Sequence, residues 1–193
     1  MSMLPDFFQP AKLLSLIQML FRIDQDLAEQ RQATRCPHCG GHLHHGNYQR
    51  KPRGRLDRFP DSYFIRQIFC CGNPECRRRT LPPSVLFMGR RVYWRGAILL
   101  IMALRQRRPH SASSASLQKL FEVSRQTIDR WVDFFRELFP KSEQWQRLRG
   151  LVGAQVGDHD LPGSLLDFFG RRYSAPEEAF LGCLRFMAAD FSA

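Results

Sequence analysis

Two cysteine pairs, Cys36-Pro-His-Cys39 and Cys71-Gly-Asn-Pro-Glu-Cys76, constrain this chain more than any other feature in it. Each pair forms a tight turn, or knuckle, that presents two thiolates, and the stretch between them is strand-like. This spacing predicts a small β ribbon closed by one tetrahedral Zn²⁺, with Zn–S distances of about 2.3 Å. Four sulfurs leave no open coordination position, so such an ion stabilises the fold and does no chemistry. Cys-Pro-x-Cys-Gly-Gly supplies both the turn and the glycines that let amides approach sulfur. In the second pair Cys70 and Cys71 are adjacent, and only one can point inward from a strand. Cys71 is the chosen ligand, with Cys70 a small buried hydrophobe on the opposite side. His38, His42, His44 and His45 lie close by, but a complete set of four sulfurs makes them surface or supporting residues.

Charge narrows the partner. The chain has 193 residues, and 29 Lys+Arg against 18 Asp+Glu give a formal charge of +11. A basic chain of this kind favours a polyanion, and arginine, its main cation, pairs well with phosphate and with guanine edges. The apolar runs 13–21 and 97–104 are too short to span a bilayer, so no membrane partner is expected. The first twenty residues lack the basic start and cleavage site of a secretory leader. Five of the six cysteines fall between 36 and 76, which suits metal in a reducing cytosol better than disulfides.

The chain divides into four predicted parts. Residues 1–33 carry an amphipathic helix over 10–30, with Leu13, Leu14, Ile17, Leu20, Phe21 and Leu27 at helical spacing and Asp24 as its polar interruption. It reads as a packing or dimerisation helix. Residues 34–83 form the ribbon, with Tyr63–Phe69 as the strand entering the second knuckle, Lys51–Arg55 as a basic tip, and Pro82-Pro83 as the boundary. Residues 84–140 form a three-helix core whose first helix, 91–108, is the buried one. Residues 141–193 are a tail with one helix, 175–189. The fold class is therefore α+β, mostly α.

Within the core, Leu117, Leu120, Phe121, Val123, Ile128 and Trp131 have the offsets that lock a helix-turn-helix. Ser124 is the expected N-cap of the last helix, and Glu122 occupies a left-handed turn position. The start of this helix, 124–139, then offers Ser124, Arg125, Gln126 and Thr127, with Arg130 one turn on, to a major groove. Asp129 and Asp133 near that face would repel phosphate unless turned away. Arg77, Arg78 and Arg79 after the second knuckle, with Arg53 and Arg55 at the tip, form a phosphate track that gives affinity without sequence choice. Asp158-His159-Asp160 reads as a solvated loop.

The order of parts resembles the DNA-binding proteins and N-terminal regions of bacterial insertion-sequence transposases over 36–140. The second knuckle is similar to that of phage late-gene activators of the Ogr/Delta type. The resemblance implies binding at transposon ends or promoters, with Cys36, Cys39, Cys71 and Cys76 holding one structural Zn²⁺. The expectation is an accessory or regulatory DNA-binding factor of a mobile element, associated with the bacterial nucleoid. Its partners would be double-stranded DNA, a transposase, recombinase or polymerase, and a second copy of the chain. A protein-interaction adaptor or transcription regulator is the alternative. A catalytic transposase or nuclease would need three separated carboxylates on a sheet, and 141–193 has no strand alternation, so no enzyme is expected.

Overall fold

The computed structural model describes residues 10–49, 60–88, 94–106 and 113–188. They are mostly helical with a small antiparallel sheet, and they form two compact units, one ending at Trp94 and the other beginning at Arg95. No helix among the described residues is long and apolar enough to cross a membrane.

The first unit starts with α1, Pro10–Ala33. Proline suits a first turn because it lacks an N–H that would find no partner within the helix there. Leu16, Ile17, Leu20, Asp24 and Ala28 recur every three or four residues and form the buried face. The sheet strands are short: β1 Leu43–His45, β2 Tyr48–Gln49, β3 Ile65–Arg66, β4 Phe69–Cys71 and β5 Arg79–Thr80. β4 lies between β1 and β5, pairing Leu43 with Cys71 and Phe69 with Thr80, while β2 and β3 form a separate ribbon.

The expected continuous strand 63–69 is interrupted. Asp61–Phe64 is a 3₁₀ turn, and only Ile65–Arg66 and Phe69–Cys71 are extended. Helix α1 supplies the reason: Gln18 donates to the Tyr63 hydroxyl at 3.0 Å, and the Phe21 and Tyr63 rings meet edge-on at 5.7 Å. The aromatic residue that suggested a strand serves helix packing.

Asp24 explains why this unit continues past the two prolines. Its carboxylate accepts from the Ser84 hydroxyl at 2.5 Å and the Val85 amide at 2.7 Å, and Ser84 Oγ accepts from the Phe87 amide at 2.8 Å. The Pro82 carbonyl accepts from the buried Arg66 guanidinium at 3.0 Å, and Phe87 bridges to Trp94. Residues 84–87 therefore belong with the ribbon and α1, not with the helical core that was expected to begin at 84.

The second unit is built on α2, Arg95–Gln106, whose residues 95–103 are all buried. The pair α3, Ser114–Phe121, and α4, Arg125–Asp133, packs against it. α4 then runs into a π-helical turn, Phe134–Leu138, where the Phe139 amide donates to the Phe134 carbonyl at 2.7 Å. The predicted tail is an integral part of this unit and holds three α-helices rather than one: α5 Glu143–Val152, α6 Gly163–Arg172 and α7 Pro176–Ala188. Gln106 donates to the Leu161 carbonyl at 2.8 Å and accepts from the Gly163 amide at 2.9 Å. The buried Arg95 guanidinium and the Gln144 amide both donate to the Met187 carbonyl at 2.6 Å. These bonds tie the last helix to the first helix of the unit.

Asp158–Asp160 is a short, largely solvated 3₁₀ turn. The buried Trp145 indole N–H needs an acceptor, and Asp158 provides one at 2.7 Å. His159 and Asp160 remain exposed.

Candidate metal centre

The first knuckle is set by its backbone. The Gly40 amide donates to the Cys36 carbonyl at 2.9 Å, and the Cys36 amide donates to the Gly41 carbonyl at 2.9 Å. Gly40 has φ +69°, a left-handed conformation that glycine adopts freely. A Cβ on Gly41 would stand 3.0 Å from the Cys71 sulfur, so this position also admits the second knuckle closely.

The second knuckle repeats that backbone pattern with Asn73 in place of Cys36 and Arg77 in place of Gly40. The Arg77 amide donates to the Asn73 carbonyl at 3.0 Å, as Gly40 does to Cys36, and Arg77 has φ +47°. Asn73-Pro74 thus occupies the place of Cys36-Pro37, with the Asn73 side chain accepting from the Glu75 amide at 3.0 Å. The thiol that Asn73 cannot supply comes from Cys71, at the end of β4. This accounts for the longer spacing of the second pair.

The strands bring all four ligand atoms together. The sulfurs of Cys36, Cys39, Cys71 and Cys76 lie within 4.8 Å of one another and can hold one metal ion. Cys36 and Cys76 are 3.8 Å apart, and Cys39 and Cys71 are 3.4 Å apart. A tetrahedron with metal–sulfur bonds of about 2.3 Å has edges of about 3.8 Å, so the spacing fits a four-sulfur shell. Cys36 and Cys71, 3% and 1% exposed, join Ala28, Leu43 and Phe69 in one apolar cluster, while Cys39 faces solvent. The site therefore caps the core of the first unit.

The thiols compete for negative charge. The Gly41 amide, followed by the Cys71 thiol, lowers Cys39 to about 7. The Asn73 amide pulls Cys71 down, but burial and the neighbouring sulfurs outweigh it and push Cys71 up to about 12. Cys76 is likewise raised: burial and the sulfurs of Cys39 and Cys36 prevail over the Arg78 amide. A dication removes this competition, because its charge holds every coordinated thiol deprotonated.

Cys70 lies outside the cluster. It is half-buried, with its thiol 3.7 Å from the Arg77 carbonyl, so it is less enclosed than the expected buried hydrophobe. Of the histidines, the His38 ring is held by Arg78, His44 rests against Gly72 where a side chain would collide, and His42 and His45 are exposed.

The residues expected to touch nucleic acid fall into three groups. Arg77, Arg78 and Arg79 are exposed beside the second knuckle, and Arg53 and Arg55, with Lys51, lie outside the described residues. On α4, Arg125, Gln126 and Arg130 are exposed, and Arg125 meets Asp129 at 3.8 Å. Asp133 is turned to Arg136 at 3.0 Å.

Thr127 does not reach outward as expected. It is 3% exposed, its hydroxyl is 3.0 Å from that of Ser124, and its amide donates to the Ser124 oxygen at 3.3 Å. Both hydroxyls are used in capping the helix, which takes Thr127 out of reach of a base. Leu117, Phe121, Val123, Ile128 and Trp131 are buried as expected, and Glu122 is left-handed at φ 50°, ψ 38°. The Leu120 side chain lies outside the description.

Two neighbours escaped the sequence reading. Gln118 accepts from the Arg125 amide at 3.1 Å, capping α4 from the preceding helix, and no local pattern announces it. Arg35 stands immediately before Cys36 with φ +62°, as Arg77 stands immediately after Cys76. A basic residue abutting each outer cysteine was the available clue. The chain matches no protein-family model, no curated protein and no solved structure.

Proposed function

We propose that this chain is a duplex-DNA-binding protein whose first unit folds around one structural Zn²⁺, and that it serves a mobile element as an accessory or regulatory factor. Zinc is the ion favoured by a closed shell of four thiolates, which leaves no position for a substrate. The mobile-element role rests on the order of knuckles, basic segment and paired helices.

The observation that carries the DNA reading is the α3–α4 pair. Its three-residue turn, Glu122–Val123–Ser124, buries Val123 and leaves Arg125, Gln126 and Arg130 outward on the first turns of α4. This is the arrangement of a helix that presents its N-terminal residues to base edges in a major groove. The Arg125–Asp129 pair is highly exposed, and such pairs contribute little stability, so Arg125 is available to phosphate or guanine.

Selection of bound duplexes from a random pool tests this. The wild-type chain should enrich a sequence motif, and Arg125→Ala/Gln126→Ala should lose it while retaining non-specific binding. Failure of the wild-type chain to retain any duplex at low salt overturns the reading. Capture of a recombinase or polymerase in the absence of DNA would favour the adaptor in its place.

A further inference from the structure

The described arginines are unequally neutralised. On the helices of the second unit, Arg125, Arg136, Arg147 and Arg149 each face a carboxylate, with Asp129, Asp133, Glu143 and Asp158 at 3.8, 3.0, 3.6 and 3.6 Å. Around the sulfur cluster, Arg35, Arg77, Arg78 and Arg79 are all exposed, and none has a carboxylate partner among the described residues. Arg105, Arg130, Arg171, Arg172 and Arg185 in the second unit have no carboxylate partner among the described residues either, but they are spread over α2, α4, α6 and α7, whereas these four gather beside Cys36 and Cys76.

Backbone conformation marks the same place. Among the described non-glycine residues, only Arg35, Arg77 and Glu122 have positive φ, and two of these three flank the metal centre. Glycine would adopt this conformation without strain, as Gly40 does at the position matching Arg77. The chain instead carries the longest cationic side chain at both sites. Arg35 precedes Cys36 and Arg77 follows Cys76, and the sulfurs of those two cysteines are 3.8 Å apart. Arg78 also links the knuckles: its Nη1 donates to His38 Nδ1 at 3.2 Å. A guanidinium has no acceptor, so Nδ1 must accept.

We infer that Arg35, Arg77 and Arg78, oriented by His38, form a site for backbone phosphodiesters, and that the metal assembles it by cross-linking the knuckles that carry its two halves. The site rests on the DNA reading and adds Arg35, His38 and metal dependence to it. The guanidinium fork matches two phosphate oxygens at once, which a scattered basic face does not offer.

Glycine substitutions separate charge from structure here, because they remove the cation and relieve the backbone together. Full-length, zinc-loaded Arg35→Gly and Arg77→Gly chains should keep one zinc each and melt no lower than wild type. Each should nevertheless bind every duplex roughly five- to tenfold more weakly at about 0.1 M salt, and the slope of log K against log salt should fall by about one. Arg77→Lys should recover most of the slope. Inorganic phosphate at constant ionic strength should compete no better than sulfate.

Wild-type affinity and slope in both glycine variants would overturn the inference while leaving DNA binding intact. Strong competition by free phosphate alone would reassign the site to a small anion and overturn it too. If the wild-type chain binds no duplex, the underlying reading fails, and this one with it.

Discussion

Asp24 is a carboxylate in an apolar stripe, and its role follows from what it accepts. Asp24→Ala would leave the buried Val85 amide and Ser84 hydroxyl without their acceptor, at a cost of about 2–4 kcal/mol in urea unfolding. Asp24→Asn keeps one oxygen for the amide and should cost much less. Burial holds the Asp24 carboxyl above its usual range, against opposing pulls from Ser84, Val85 and Arg66. The folded chain thus holds this proton more tightly than the unfolded chain does. The group's stabilisation is complete below its ordinary value of 3.8 and is lost as pH rises through the folded value. Wild-type stability minus that of Asp24→Asn should therefore decline from acid towards neutral pH, and metal loss at low pH, common to both chains, cancels in that difference. A difference that grows with pH would contradict this. The sequence marked Asp24 as anomalous but could not name partners at 84–86, because a buried carboxylate can be satisfied from any distance along the chain. Cys71 was legible over Cys70 because strand alternation is local. Thr127 was misread because helical position alone does not tell a reaching hydroxyl from a capping one.

At the scale of elements, the α3–α4 turn was readable because its apolar offsets and its Ser124 cap are short-range. Glu122 there pays a left-handed backbone that glycine would not, so Glu122→Gly should stabilise the second unit by about 1 kcal/mol in thermal unfolding. The same substitution touches neither Arg125 nor Gln126, and sequence selectivity should be unchanged. Of the helices after 141, α7 was expected at 175–189 and is present at Pro176–Ala188, but α5 and α6 were missed for a related reason. Their core residues Trp145, Leu148, Val152, Leu161, Leu165 and Phe168 are spread over short segments broken by Gly153, Gly157 and Pro162. Gly153, at φ +60°, ends α5. Breakers this dense look like a connection until the aromatic cluster of Phe135, Phe139 and Trp145, with neighbouring rings 5.4–5.5 Å apart, supplies the packing that joins them.

At the scale of the molecule, each unit closes its own core, but only the first leans on four thiols. Chelation should therefore melt the first unit and leave the helical signal of the second, giving two separate transitions by circular dichroism. A single loss of all structure on chelation would contradict this. Because burial and the neighbouring sulfurs hold the Cys71 and Cys76 thiols above their ordinary range, a metal ion bound there must displace protons, so its affinity should rise with pH. Calorimetry in buffers of different ionisation enthalpy measures that release. Cys70→Ser should retain the capacity for one metal ion per chain, whereas Cys71→Ser should not. The paired knuckles were the most legible part of the sequence, since their chemistry is written in a few adjacent residues. The division at Trp94 was not, because it depends on what residues 84–87 bond to and not on their composition.

The carbonyl of Met187 accepts from Arg95 and from Gln144, so the first and last helices of the second unit share a bond. During synthesis the ribbon leaves the ribosome before the helical unit, so its four thiols can come together while the rest is still emerging. The helical unit has no such head start. Its opening segment, apolar almost throughout, closes its bond to the Met187 carbonyl only when the last helix has emerged.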